Sequence, residues 1–297
     1  MARVGRFRND AARARYLEIY RSCLSALPAY DESFDSPTSF GTVRGYRFGG
    51  PAGKPVVLLP GRNAPTPLWA ANLPGLLEHR TVYCLDLLGE PGLSVQTVPI
   101  TGADDQAHWL DDVLVALRLD SVHLTGLSFG GWSVTNYALR MPQRVASLTL
   151  IDPALTFARI PLRTIAATIP LTVRGAPEPL RRRVLSWLAG GADVDDSEPV
   201  ARLIAAGSTD FELHQPLPTL FTDDDLRGLD LPVLALIAGR SAVHDAERAA
   251  DRARNLLRHG RVELWPDASH AINGEFPDRI AETAGRYWND VDAAPPV

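Results

Sequence analysis

The sequence predicts an α/β protein: a doubly wound, mostly parallel sheet interrupted by a helical insert. Three observations carry that prediction. Short apolar runs of strand type alternate with helix-type stretches from about Val43 to Ile151. The alternation stops over residues 153–230 and resumes at Leu231. Runs such as Pro55–Leu59 lack polar alternates, the pattern of strands covered on both faces. With 297 residues, the chain has room for one large α/β domain carrying a smaller insertion.

The elements follow in order. Over residues 11–27, Tyr16, Ile19, Tyr20, Cys23, Leu24 and Leu27 recur at helical spacing, so this stretch reads as a helix docked on the domain and stopped by Pro28. Val43–Phe48 is a strand, followed by a turn over Gly49–Gly53. Pro55–Leu59 is the next strand, ended by Pro60-Gly61. Thr81–Leu85 is a strand ending at Asp86, and Asp104–Leu119 a helix with Ala107, Leu110, Leu114 and Leu117 on one face. Ser121–Thr125 is a strand, Phe129–Met141 a helix ended by Pro142, and Val145–Ile151 a strand ending at Asp152. The stretch 153–230 holds helical patterns such as Pro179–Ala189 and polar breaks at Gly190-Gly191 and Asp193–Glu198, with no strand expected. Leu231–Ala238, a helix over Ala246–Leu257 and the strand Arg261–Trp265 complete the sheet. The domain reading is therefore a core of residues 1–152 and 231–297 with a helical cap of 153–230; the end, from Asp292, is expected to fray.

Composition narrows the function. Hydrophobic residues make up 45% and charged residues 22%, ordinary for a soluble globular protein. A net charge of −5 implies no strong attraction to nucleic acid or to an anionic membrane. A small-molecule substrate is the expected partner, and self-association stays open. Lys54 is the only lysine, which reads as the codon usage of a GC-rich genome. Cys23 and Cys84 form neither a disulfide framework nor a metal pattern, so no metal or cofactor is expected and a cytoplasmic location fits. The Arg-rich stretch Met1–Asp10 is not followed by the apolar core of a signal peptide, and no run is long enough to span a membrane.

The chemistry centres on Gly126-Leu127-Ser128-Phe129-Gly130-Gly131, which follows a predicted strand and opens a predicted helix. That is the context of a G-x-S-x-G nucleophile elbow. So sharp a turn strains the serine and leaves no room for side chains at the glycines. It lifts the Ser128 hydroxyl clear of the sheet and sets the Phe129 N–H, at the helix start, where it can face an oxyanion. A phosphate-binding turn is a poor alternative: there is no G-x-x-x-x-G-K-[ST] pattern, and Lys54 precedes a strand.

On these residues the chain resembles the α/β-hydrolase superfamily, and more closely its esterase-like, cap-bearing members. The helix, strand and elbow from Trp109 to Gly131, the Asp86–Gly89 loop, Leu231–Val233 with Ala238-Gly239, and Trp265–Ile272 carry the resemblance. It covers about Gly41 to Trp288 and implies a sheet of the α/β-hydrolase type with the cap inserted after the strand that follows the nucleophile helix.

The resemblance implies further site residues, with two departures. The strand before the first crossover usually ends in His-Gly; here Pro60-Gly61 stands there, and Arg62 would supply the second oxyanion N–H beside Phe129. An amide donor does not depend on its side chain. The Arg62 side chain has two places to go: out to solvent, the commoner outcome, or into the site, where it would favour an anionic or carbonyl-rich substrate. His270, after the last strand, is the expected base, with His244 its rival. The acid usually lies three residues past the glycine of the penultimate loop, but that slot holds Ala242. Asp152, ending the strand after the elbow helix, is the first substitute. Asp245 is the second, though helix N-cap is its natural role. Asp267 remains a third.

The expected function is hydrolysis of an ester, lactone or thioester of a small, apolar substrate through an acyl-enzyme on Ser128. Acyl transfer or carbon–carbon bond hydrolysis would use the same site. The missing acid at Ala242 also leaves open a catalytically weak ligand-binding relative.

Overall fold

A computed structural model describes residues 3–172, 177–188, 190 and 198–294. Eight strands form the path of the main sheet: β1 (Glu32–Thr38), β2 (Gly41–Phe48), β3 (Val56–Leu59), β4 (Val82–Leu85), β5 (Val122–Leu127), β6 (Val145–Ile151), β7 (Val233–Ala238) and β8 (Gly260–Trp265). Their spatial order is β8-β7-β6-β5-β3-β4-β2-β1. β2 runs antiparallel to β1 and β4; every other neighbouring pair on the path is parallel. The two-residue strand Val95–Gln96 adds to β2.

Strand periodicity explains the unbroken apolar runs. Along β7, Val233, Ala235 and Ile237 enter one core cluster, while Leu234, Leu236 and Ala238 enter the other. β3 divides likewise, Val57 and Leu59 against Val56 and Leu58. Both faces need apolar side chains because helices cover both. The helices are α1 (Asp10–Ser25), α2 (Leu73–Leu77), α3 (Ala103–Ala116), α4 (Phe129–Arg140), α5 (Leu162–Thr172), α6 (Glu178–Leu188), α7 (Pro199–Asp210), α8 (Asp223–Arg227), α9 (Ala246–Leu256), α10 (Ile272–Glu275) and α11 (Pro277–Ala293). α3, α4 and α9 cover the first face; α2, α10 and α11 cover the second. Fully burying one Leu, Ile or Phe contributes roughly 1.5–3 kcal/mol, so the two layers account for the fold's apolar driving force.

The predicted strands and helices appear within one to three residues of their expected bounds. β1 and α11 were not expected. β1, Glu-Ser-Phe-Asp-Ser-Pro-Thr, is polar because it is an edge strand with Pro37 inside it. α11 has a strong apolar stripe (Ile280, Ala281, Ala284, Tyr287, Trp288) and seals the second face.

Residues 153–230 contain α5 to α8. Among the described residues they also contain a short strand, Phe211–Glu212, where none was expected. It pairs antiparallel with Arg6–Phe7, so its partner comes from the N-terminus. α1 packs Tyr16, Leu17, Tyr20 and Cys23 against Leu203 of α7. Tyr20 also reaches inward, donating to the buried Asp86 at 2.9 Å. Gly191, residues 193–197 and 295–297, and the side chain of Leu171 lie outside the described residues.

Candidate active site

The chain crosses from β5 to α4 through Ser128 in a conformation few side chains adopt, φ 53° and ψ −114°. Packing enforces the turn. A Cβ on Gly126 would stand 2.3 Å from the Gly130 carbonyl, and one on Gly130 would stand 2.1 Å from the Leu59 carbonyl oxygen. Elbow and β3 are thus in backbone contact, and only glycine fits at either position. Asn63, Asp152 and Leu155 also have positive φ, between 40° and 60°. These four lie just past the carboxyl ends of β3, β5 and β6, the edge where open α/β sheets build their sites, whereas Arg118 (φ 56°) lies in the turn between α3 and β5.

On one side of Ser128 stands His270, on the loop between β8 and α10. Its Nε2 lies 3.0 Å from Ser128 Oγ and its Nδ1 lies 2.6 Å from Asp152 Oδ2. Asp152 has no exposed surface, and its carboxyl is surrounded by donors. Oδ1 accepts the Ala238 N–H at 2.9 Å, and Oδ2 accepts the Ser241 hydroxyl at 2.7 Å. A second imidazole, His244, brings Nε2 to 3.0 Å from Oδ1. Burial pushes the Asp152 carboxyl upward, but the imidazoles of His244 and His270 outweigh it and hold the group well below the usual carboxylate range. Asp152 is therefore an anion that only accepts, so Nδ1 of His270 carries the proton and Nε2 presents its lone pair to the serine hydroxyl.

On the other side is the turn after β3. Gly61 packs beside the nucleophile: a Cβ there would lie 3.5 Å from Ser128 Cβ, an ordinary van der Waals contact. Among the described residues, neither the Arg62 nor the Phe129 N–H finds an acceptor within the chain. The Arg62 side chain takes neither expected course. It lies over the Phe129 ring, with Cζ 4.8 Å from the centroid, and its Nε is 3.2 Å from Oε1 of the buried Glu90. Glu90 Oε2 accepts the Asn63 N–H at 3.0 Å. Burial raises the Glu90 carboxyl above its usual range, and the Arg62 guanidinium opposes that rise.

The structure thus brings Ser128, His270, Asp152, Arg62 and Phe129 together. Asp245 is elsewhere: it caps α9, accepting the Arg248 N–H at 3.2 Å, with Arg248 Nε 3.6 Å away. Its role is the N-cap, because the side chain of a residue opening a helix turns back to the free amides of the first turn. Asp267 is exposed. Residues of the 153–230 segment border the site. The Thr164 hydroxyl of α5 donates to the Ala242 carbonyl at 2.6 Å, and a Cβ on Gly190 would stand 2.3 Å from Ser269 Cβ, next to His270. Among the apolar residues of this segment, Phe157 is buried in the core, whereas Ile165 and Ile169 are about half exposed. Sequence reasoning missed Glu90 and treated His244 only as a rival base. Neither lies in a motif; each is recognised by what it touches.

A fold with a mostly parallel sheet, an elbow serine and a histidine–aspartate pair at the strand ends defines an α/β-hydrolase. The family model described as "Alpha/beta hydrolase family" matches residues 56–283, and the chain belongs to that family. It is 28% identical over 281 residues to the uncharacterized carboxylesterase nap of Bacillus subtilis, covering 93% of this chain and 92% of that protein. It is 28% identical over 275 residues to the carboxylesterase YbfK of the same organism, covering 90% of each. The crystal structure of naproxen esterase from B. subtilis superposes with a TM-score of 0.86 at 27% identity, over 95% of this chain and 99% of that one. That of carboxylesterase CesB (YbfK) superposes with a TM-score of 0.86 at 25% identity, over 93% and 98%.

Proposed function

We propose that the chain is a serine carboxylesterase that works through an acyl-enzyme on Ser128. The observation carrying this reading is the relay of contacts from Ser128 Oγ through His270 Nε2 and Nδ1 to Asp152 Oδ2. The carboxylesterase relatives support ester hydrolysis as the reaction. As Ser128 Oγ attacks the ester carbonyl, its proton passes to His270 Nε2, and the imidazolium is stabilised by the Asp152 anion. The carbonyl oxygen, now charged, is received by the N–H groups of Arg62 and Phe129. His270 returns the proton to the leaving alcohol. Water then attacks the acyl carbon, giving a proton to His270, which returns it to Ser128 Oγ as the acid leaves.

The segment 153–230 serves as the cap over this site, since Thr164 and Gly190 meet the loops that carry Ala242 and His270. The half-exposed Ile165 and Ile169 favour a small, apolar ester. Among the described residues no helix is long and apolar enough to cross a membrane. Two free, buried cysteines suit the reducing cytoplasm, where we place the enzyme. The test is labelling by a fluorophosphonate together with hydrolysis of short p-nitrophenyl esters. Wild type should label and turn over, and Ser128→Ala should do neither. An unlabelled wild type that binds esters without cleaving them would sink the proposal.

A further inference from the structure

The loop after β7 lacks an acid at Ala242, yet it surrounds Asp152 with donors. Ser241 gives its hydroxyl to Oδ2 at 2.7 Å. His244 is almost fully buried and places Nε2 3.0 Å from Oδ1, the oxygen turned away from His270. One carboxylate therefore stands between two imidazoles, one on each oxygen. The His244 contact is too bent for a straight ring N–H···O bond, and its Nδ1 has no hydrogen-bond partner. A buried imidazole with one nitrogen against an anion and the other unsatisfied is costly as mere packing.

We propose that His244 is a positioning residue of the esterase site, presenting an Nε2–H to Asp152 Oδ1 so that the carboxylate stays ionised and its Oδ2 edge stays on His270. This rests on the reading of Asp152 as the acid. The physical need is specific. To accept the serine proton, His270 must start neutral, and during that interval no full positive charge on His270 balances the buried Asp152. Ala238 N–H and the Ser241 hydroxyl give one donor to each oxygen. His244 adds a second polar contact to Oδ1, matching the two on Oδ2. The other charged groups of this loop are engaged elsewhere. Asp245 caps α9 and faces Arg248, and Arg240 lies 3.6 Å from Glu275, which itself accepts the Ser269 N–H and hydroxyl. Among the described side chains of α5, the neutral Thr164 hydroxyl bonds to the loop, at Ala242.

The sign of the effect follows. A donor on Asp152 lowers the proton affinity of the coupled Asp152–His270 pair, so removing it moves the acid limb of kcat/KM to higher pH. The experiment compares wild type with His244→Gln, which keeps an N–H near the Nε2 position, His244→Leu, which keeps bulk without a donor, and Asp152→Asn. Each is assayed on p-nitrophenyl acetate across pH. His244→Leu should lower kcat by roughly three- to tenfold, since a bent polar contact to an anion is worth less than an aligned hydrogen bond to a charged group, with KM within about twofold. It should also shift the acid limb upward, and His244→Gln should restore most of both. Imidazole 15N NMR of the wild type needs no variant to fold, and should find a proton on His244 Nε2 throughout the active pH range. An acid limb that stays put in a folded His244→Leu, or an unprotonated Nε2, overturns the proposal. If Asp152→Asn leaves turnover untouched, the acid assignment itself falls and takes this inference with it. If Asp152→Asn loses turnover while the His244 variants behave as wild type, this inference alone fails.

Discussion

Ser128 stands between two regions built on different principles. On the histidine side, every atom of the proposed relay belongs to a side chain: His270 Nε2 and Nδ1, and the Asp152 carboxyl. On the side we propose for the oxyanion, the groups assigned to the work are main-chain amides, and side chains hold the turn. The difference explains where the chain tolerates departures from the family pattern. Proline at position 60 changes no amide of Arg62 or Phe129, so it needs no replacement elsewhere. Alanine at 242 leaves that slot without an acid, and in our proposal the carboxylate comes from another strand, at Asp152. The oxyanion side instead acquires a buried ion pair, Arg62–Glu90, that ties the turn to the Phe129 ring and to the Asn63 amide.

If the regions differ in this way, side-chain deletions should cost far more on the histidine side. Ser128→Ala and His270→Ala should each reduce kcat for ester hydrolysis about 10⁶-fold, the loss seen when either member of such a unit is removed. Asp152→Asn should cost about 10⁴-fold at neutral pH, because an amide cannot hold His270 in the tautomer that accepts the serine proton. A loss below tenfold at Asp152, with the fold intact by circular dichroism, would break the comparison on this side.

On the other side, Glu90→Gln should lower kcat roughly ten- to a hundredfold. It leaves both oxyanion amides in place and loosens only one, against about 10²–10³ for losing a donor outright. Arg62→Ala keeps its amide, so kcat should fall less than tenfold, and a larger loss would show that the guanidinium itself touches the substrate. Its stability should suffer instead. The folded Glu90 carboxyl is already raised above its ordinary value by burial, with Arg62 pulling it back. A group raised in this way favours folding below its unfolded pKa, and that contribution is lost as pH rises through the folded value. Removing Arg62 pushes the folded value higher. The melting temperature of Arg62→Ala should therefore fall increasingly below wild type as pH is raised from about 5 to 8. A deficit that is flat with pH would deny Glu90 the role of counter-ion. The smallest effect belongs to Asp245→Ala, which removes only the α9 cap. Turnover should stay within about twofold while unfolding by urea loses about 1 kcal/mol.

What could be read without coordinates was what is local in the chain. The elbow is six consecutive residues, and its strand–turn–helix context is set by neighbours within a few turns. The burial of β3 and β7 on both faces showed in their unbroken apolar runs, because period-2 geometry sends alternate residues to two cores. The helix spacing of Tyr16, Tyr20 and Cys23 predicted α1. It did not reveal that α1 meets α7 or that Phe7 pairs beside Phe211, since neither partner is near in sequence. The edge strand β1 escaped because an edge needs no apolar alternation.

The sequence by itself determined the class of fold, and it singled out Ser128 in its elbow and a histidine after the last strand as candidates. Three carboxylates remained for the acid, and composition favours none of them. Only the tertiary structure separates them, by bringing β6, the loop after β7 and the loop after β8 to one point, and our proposal of Asp152 rests on that meeting. There Asp152 and His270 meet across 118 positions of chain, while Asp245, much closer in sequence to His270, turns away to its helix. The same convergence turned Arg62 onto Phe129 and Glu90, and His244 onto the far oxygen of Asp152. Periodicity and turn chemistry are properties of neighbours. The partner of a buried charge is set by which strand ends the sheet order makes adjacent, and no local pattern carries that information.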